Sequence, residues 1–261
     1  MLLIKNGTVN TITKGIQKIG ILIKDKKIVA MGEKLNSLST EFVLDDEVIG
    51  REDDYEELNK ELRANGEFDF DPNTDTLEII DAQGQFIYPG FIDAHTHLGL
   101  WEDGMGVEGA DGNEETDPIT PHLNVIDGIN PMDRTFKEAY EGGITAVCTT
   151  PGSANVMGGQ AAAIKTFGRR IDKMIIKNPV ASKVAFGENP KSCYGSNDDT
   201  PQTRMAIAAL LRENLRKAEE YLFDLKSAEE DEDIDTPEYD IKLESLIPVL
   251  KKEIPLKAHA H

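Results

Sequence analysis

The segment FIDAHTH places His95 and His97 two residues apart, at the end of an apolar run introduced by Pro89 and Gly90. Strand side chains alternate with period two, so both imidazoles face one way and can hold a single metal ion. Asp93 shares that side and can orient a ligand from behind. A second pair with the same spacing, His259 and His261, closes the segment IPLKAHAH. Between the pairs, KVAFGE is an apolar run ending on Glu188. A carboxylate directly after such a run is costly unless it is solvated, paired or bound to metal. Each feature alone has a plain reading: an H-x-H in a loop, or a first loop residue in water. Together they put His-x-His, Glu and His-x-His at three strand ends, and four of the five histidines lie in the two pairs. That combination reads as a divalent-metal site of zinc type, with one ion or two. His122 lies in a loop and is assigned no role.

The elements that must position these groups follow from hydrophobic period and breakers. LLIKNGTV and GILIKDKKIVAMG alternate apolar with polar around the turn KDKK, which predicts a small β-layer. LEIID and QFIYPG predict two more strands around AQG. From Phe91 onward the chain reads as strand and helix in alternation. The strands are FIDAHTH, ITAVCTTPG, AAAIKTFG, SKVAFGENP and IPLKAHAH. The helices are DRTFKEAYEGG, a long one through TPQTRMAIAALLRENLRKAEEYLFDLKSAEE, and YDIKLESLIPVLKKE. A βαβα pattern predicts an α/β fold with a parallel sheet. The domain expectation is 1–87 for the β-layer, with an acidic insertion near 45–75 that carries one helical stretch, and 88–261 for the α/β part.

The formal net charge is −20, from 48 acidic and 28 basic residues. That balance argues against nucleic acid or an anionic membrane as partner, since both would repel the chain. No segment approaches the ~18 apolar residues of a membrane span, and the N-terminus has no signal-peptide run. Two cysteines far apart in sequence suit a reducing, cytoplasmic compartment better than a disulfide framework. Cys148 sits in an apolar strand and reads as core. Trp101, with Glu102 and Asp103, follows the first histidine pair and is a candidate pocket wall or a packed loop residue. Asn155 opens NVMGG after the second strand, placing it near substrate or in a simple glycine turn.

PGFIDAHTHLG, EGGITAVCTTPGSANVMGGQ, KVAFGENPK and PLKAHAH together resemble the amidohydrolase superfamily, nearest to its imidazolonepropionase-related or prolidase-like members. The resemblance covers most of the chain outside the two acidic blocks. It implies a metal-dependent hydrolase of C–N bonds, acting on a small-molecule substrate with zinc as the usual ion. It implies a distorted (β/α) barrel beside a β-sandwich built from both chain termini. By motif, His95 and His97 match first-strand metal ligands, and Glu188 lies where the family places a bridging lysine or glutamate. His259 matches the fifth-strand histidine, with His261 as the alternative. The family also needs a sixth-strand histidine and an eighth-strand aspartate, the usual general base. The chain ends before either, so the expectation is an incomplete TIM-type barrel cut after strand five, inactive alone. Its protein partner would be a second copy or a missing C-terminal half. The competing expectation is a non-catalytic partner or metal-binding remnant.

Overall fold

The computed structural model describes residues 1–37, 77–196 and 199–260. The helical stretch expected in the acidic insertion and His261 lie outside the described residues. Two compact units divide the chain, Met1–Pro89 and Gly90–His261.

The first unit is a five-stranded sheet. Its strands are β1 (Leu2–Asn10), β2 (Ile16–Lys24), β3 (Lys27–Gly32), β4 (Glu78–Asp81) and β5 (Phe86–Ile87). β2 is antiparallel to β1 and β3, while β4 and β5 lie parallel to β1. The expected KDKK turn is present, with Asp25 at φ 49° and Lys26 at φ 65°. Two successive residues at positive φ match the twist that an antiparallel hairpin needs. Leu3, Leu22, Ala30, Leu35 and Leu77 form one buried cluster, and Val9, Ile19 and Ile21 form another. A cavity of about 500 Å³ lies against the second cluster.

The second unit holds another five-stranded sheet, in the order β10-β9-β8-β7-β6. These strands are β6 (Phe91–Thr96), β7 (Ile144–Thr149), β8 (Met157–Lys165), β9 (Ile175–Ala185) and β10 (Leu256–His259). β6 pairs parallel with β7, and β10 pairs parallel with β9. β8 runs antiparallel to both neighbours, contrary to the expected all-parallel sheet. Chain length between strands explains this. Residues 150–156 alone join β7 to β8, and 166–174 join β8 to β9. A parallel crossover takes about a dozen residues or more, so each short link can only turn the chain back. The sheet curls: Lys257 Nζ on β10 donates to the Ala94 carbonyl of β6, bringing the first and last strands of the order together.

Helices cover the outer face: α1 (Val125–Gly128), α2 (Arg134–Glu141), α3 (Ile171–Met174), α4 (Glu188–Gly195), α5 (Arg204–Glu230), α6 (Ile241–Glu244) and α7 (Ile247–Leu250). Thr203 caps α5 by accepting from the Ala206 N–H, three residues after Thr200, which with Pro201 is expected to open the helix. The helix expected across YDIKLESLIPVLKKE is instead two four-residue turns. Pro248 has no N–H for the carbonyl four residues back, which breaks the ladder there. Leu100, Val125, Phe136, Val147, Ile164 and Met174 belong to one core under these helices. Val156, Met157, Val184, Ile207 and Leu246 belong to another.

Gly159 lies on β8 at φ +119°, and a Cβ there would sit 2.5 Å from the Leu123 carbonyl oxygen. Strained backbone of this kind costs roughly 1–3 kcal/mol for a residue with a side chain. Gly159→Ala should therefore destabilise the chain by at least about that amount, read as a lower denaturant midpoint at unchanged m-value.

Candidate metal centre

His95 and His97 stand together, with ring centroids 5.5 Å apart and planes nearly perpendicular. The ends of β6 and β7 hold them. The Thr150 N–H donates to the Thr96 carbonyl at 2.9 Å, and the Thr150 carbonyl accepts from His97 Nδ1 at 2.8 Å. A carbonyl can only accept, so Nδ1 carries the proton and the Nε2 lone pair remains for a cation. The Asp93 carboxylate accepts the His95 backbone N–H at 2.9 Å, so it steadies the strand end and not an imidazole ring.

Trp101 belongs to this site. Its ring meets His97 edge-on at 5.1 Å. The loop after β6 folds back through a Trp101–Ala110 bridge, with the Asp111 N–H donating to the Leu100 carbonyl at 2.9 Å. Gly112 lies under the ring, and any Cβ there would overlap it. Glu102 and Asp103 are held elsewhere, on Asn130 and Arg134. A cavity of about 170 Å³ opens in the same loops, lined in part by Leu100, Gly112, Asn124 and Pro151.

His259 ends β10 opposite Ala185 on β9. Two residues earlier in the same register Lys257 faces Lys183. Lys183 is fully buried, and its Nζ has no hydrogen-bond partner. Burial, then the neighbouring Lys257, push its pKa down from the usual lysine range. Burial, then Lys183 and Lys257, also hold His95 below the ordinary imidazole value, which favours its neutral, ligating form. Cys148 faces this interior too, with its Sγ 3.7 Å from Lys257 Nζ, and is only half-buried. It is not the core residue that an apolar strand suggested. Sequence reasoning passed over Lys183 and Lys257. The available signal was a lysine inside PVASKVAF, a mostly apolar run that leaves a charge little solvent.

Two expected positions stand apart. β9 ends at Ala185, Gly187 turns the chain at φ +80°, and Glu188 begins α4. Its carboxylate is exposed and paired with Lys191 Nζ at 3.1 Å, so it does not end a strand as the sequence suggested. Asn155 is buried and holds the acidic loop together. Its Nδ2 donates to the Glu114 carbonyl at 2.5 Å, the Asp117 carbonyl at 2.8 Å and Thr120 Oγ1 at 3.3 Å. In this position its amide is a peg for the loop.

Among the described residues no three His, Cys, Asp or Glu side chains converge tightly enough to hold a metal ion. The donor set still suits one. Two adjacent imidazoles, one with its tautomer fixed, share an inner face with a histidine from the far strand and with an orphaned buried amine.

No family model matches the chain. An amidohydrolase from Hapsidospora irregularis, tasK, is 35% identical over 152 residues, spanning 54% of this chain and 15% of that protein. The crystal structure of an amidohydrolase from Thermotoga maritima MSB8 superposes with a TM-score of 0.79 at 37% identity. That match covers 100% of this chain and 58% of the Thermotoga chain. The second unit's α/β fold is thus like that of a solved amidohydrolase. In sequence and fold the chain is similar to amidohydrolases, and it spans a little over half the length of the Thermotoga chain. No helix among the described residues is long and apolar enough to cross a membrane.

Asn155→Ala should lower stability by about 1–3 kcal/mol, because three loop acceptors lose their donor, while metal uptake stays unchanged. Lys183 yields a pH signature. Between its lowered folded pKa and the unfolded value near 10.4, the unfolded chain binds a proton that the folded chain lacks. Stability contributed at this site therefore rises with pH across that window. In metal-free, bicarbonate-free buffer, Lys183→Met should melt above the wild type, most at neutral pH, with the gain vanishing near pH ~10.

Proposed function

We propose that the curled sheet is the first part of a metal-dependent (β/α) barrel that hydrolyses C–N bonds of an amide or cyclic amide. His95, His97 and His259 would hold a divalent cation, zinc first among them. Lys183 takes the bridging position that the family resemblance assigns to a lysine or glutamate, the place expected of Glu188. The observation that carries the reading is the His97 tautomer, fixed by Thr150, on the same face as an amine with no partner.

A bound cation of this kind acidifies water and polarises a carbonyl. The chain's own groups do the positioning. His97 offers Nε2 because Nδ1 is occupied. Trp101 walls one side of the imidazoles and excludes water there. An ammonium at Lys183 would repel a cation, so the residue acts as the neutral amine or as a carbamate. The carbamate forms when the amine lone pair attacks the carbon of CO2 and a proton leaves, giving an anionic oxygen donor. The described strands of this sheet carry one carboxylate, Asp93, and the His95 N–H occupies it. The acceptor for the water proton must come from another segment, so this chain alone is proposed to bind metal without turnover.

Zinc titration by calorimetry tests the reading. The wild-type chain should take up zinc. His95→Ala combined with His97→Ala should weaken uptake by more than the ~10–100-fold typical of losing a supporting partner. Equal uptake by both chains would remove the metal site. Intact-mass measurement in bicarbonate should show one added CO2, absent from Lys183→Met.

A further inference from the structure

Cys148 has no part in the metal reading, yet it faces the same interior. Its Sγ lies 3.7 Å from Lys257 Nζ, and the side chain is half-buried, so small molecules can reach it. A second observation marks this spot as more than one isolated thiol. Lys183 is fully buried, its Nζ has no hydrogen-bond partner, and it interacts electrostatically with both Cys148 and Lys257. One ammonium, Lys257, therefore lies against the sulfur, beside a buried amine with no hydrogen-bond partner. Cationic surroundings and partial exposure are the conditions that make a cysteine nucleophilic. The other cysteine has the opposite setting: Cys193 lies on α4, where burial and Glu115 push its thiol up.

We propose that Cys148 is a modification site for small, uncharged, soft electrophiles, with Lys257 as the group that activates it. With a haloacetamide, the sulfur attacks the methylene carbon, the C–S bond forms, the carbon–halogen bond breaks, halide leaves and the thiol proton passes to solvent. With hydrogen peroxide, the sulfur attacks one oxygen, the O–O bond breaks and hydroxide leaves, taking the thiol proton to give water and a sulfenic acid. The sulfur is oxidised by two electrons and the peroxide is reduced by two. The inference deepens the metal reading, because the modified sulfur would stand among the groups proposed to surround the ion.

The experiment is iodoacetamide labelling of the full chain, followed by peptide mass spectrometry at both cysteines. Cys148 should react about tenfold faster than Cys193. Lys257→Met should abolish that advantage and Lys257→Arg should restore it, with circular dichroism confirming that both variants fold. Equal or slower labelling of Cys148, or a rate indifferent to Lys257→Met, would overturn the proposal. Preloading with zinc separates the two readings. Protection of Cys148 supports both, whereas selective labelling unaffected by zinc supports the thiol site and removes the metal centre.

Discussion

An amine buried without an anion is the constraint around which the inner face of the second sheet is arranged. Lys183 lies in a strand whose last five residues are all buried, and it faces Lys257 across one parallel pair. Burial alone disfavours the ammonium, and a second lysine beside it adds repulsion. The sheet relieves part of this by curling. Lys257 swings away to the Ala94 carbonyl and the Cys148 sulfur, both of which accept. Lys183 keeps no such outlet. A fold that retains this arrangement leaves a place for something that balances the charge, and the neighbouring histidines show which chemistry stands next to it.

The residues around that amine differ in how far they could be read in advance. The His95 and His97 pair was legible because period two forces both rings to one side, and the structure keeps them there. Trp101 was legible only as an even choice. What seats it is Gly112, whose missing side chain leaves room for the indole, and a glycine eleven residues away carries no such message in a sequence. Glu188 was misplaced by a local backbone event, the positive φ at Gly187, which ends the extended conformation early. Lys183 was missed because a lysine in a strand is ordinarily the solvent-facing residue. Cys148 was missed because a strand buried on both sides does not reveal which side is the interior.

The same limits apply to the fold. Strand positions and the long helix followed from period and breakers, although the cap is Thr203 and not the Thr200–Pro201 pair that opens the segment. Strand direction did not, although the information was there in the short links around β8. Apolar pattern says that a segment is a strand, whereas connection length says which way it can run. Asn155 shows a third kind of limit. Its partners are backbone carbonyls 41 and 38 residues earlier, and no side-chain type announces them.

The reversed strand also bears on how the chain reaches its native state. β7, β8 and β9 are joined by short links, so their pairing closes small loops at low entropic cost. β6 and β10, which carry the histidines, are neighbours only through the curl and lie some 160 residues apart. Contacts of such separation slow folding and form after local ones. The central meander is thus the part of the sheet that closes at least chain-entropy cost, and bringing the imidazoles to the far edge costs the most.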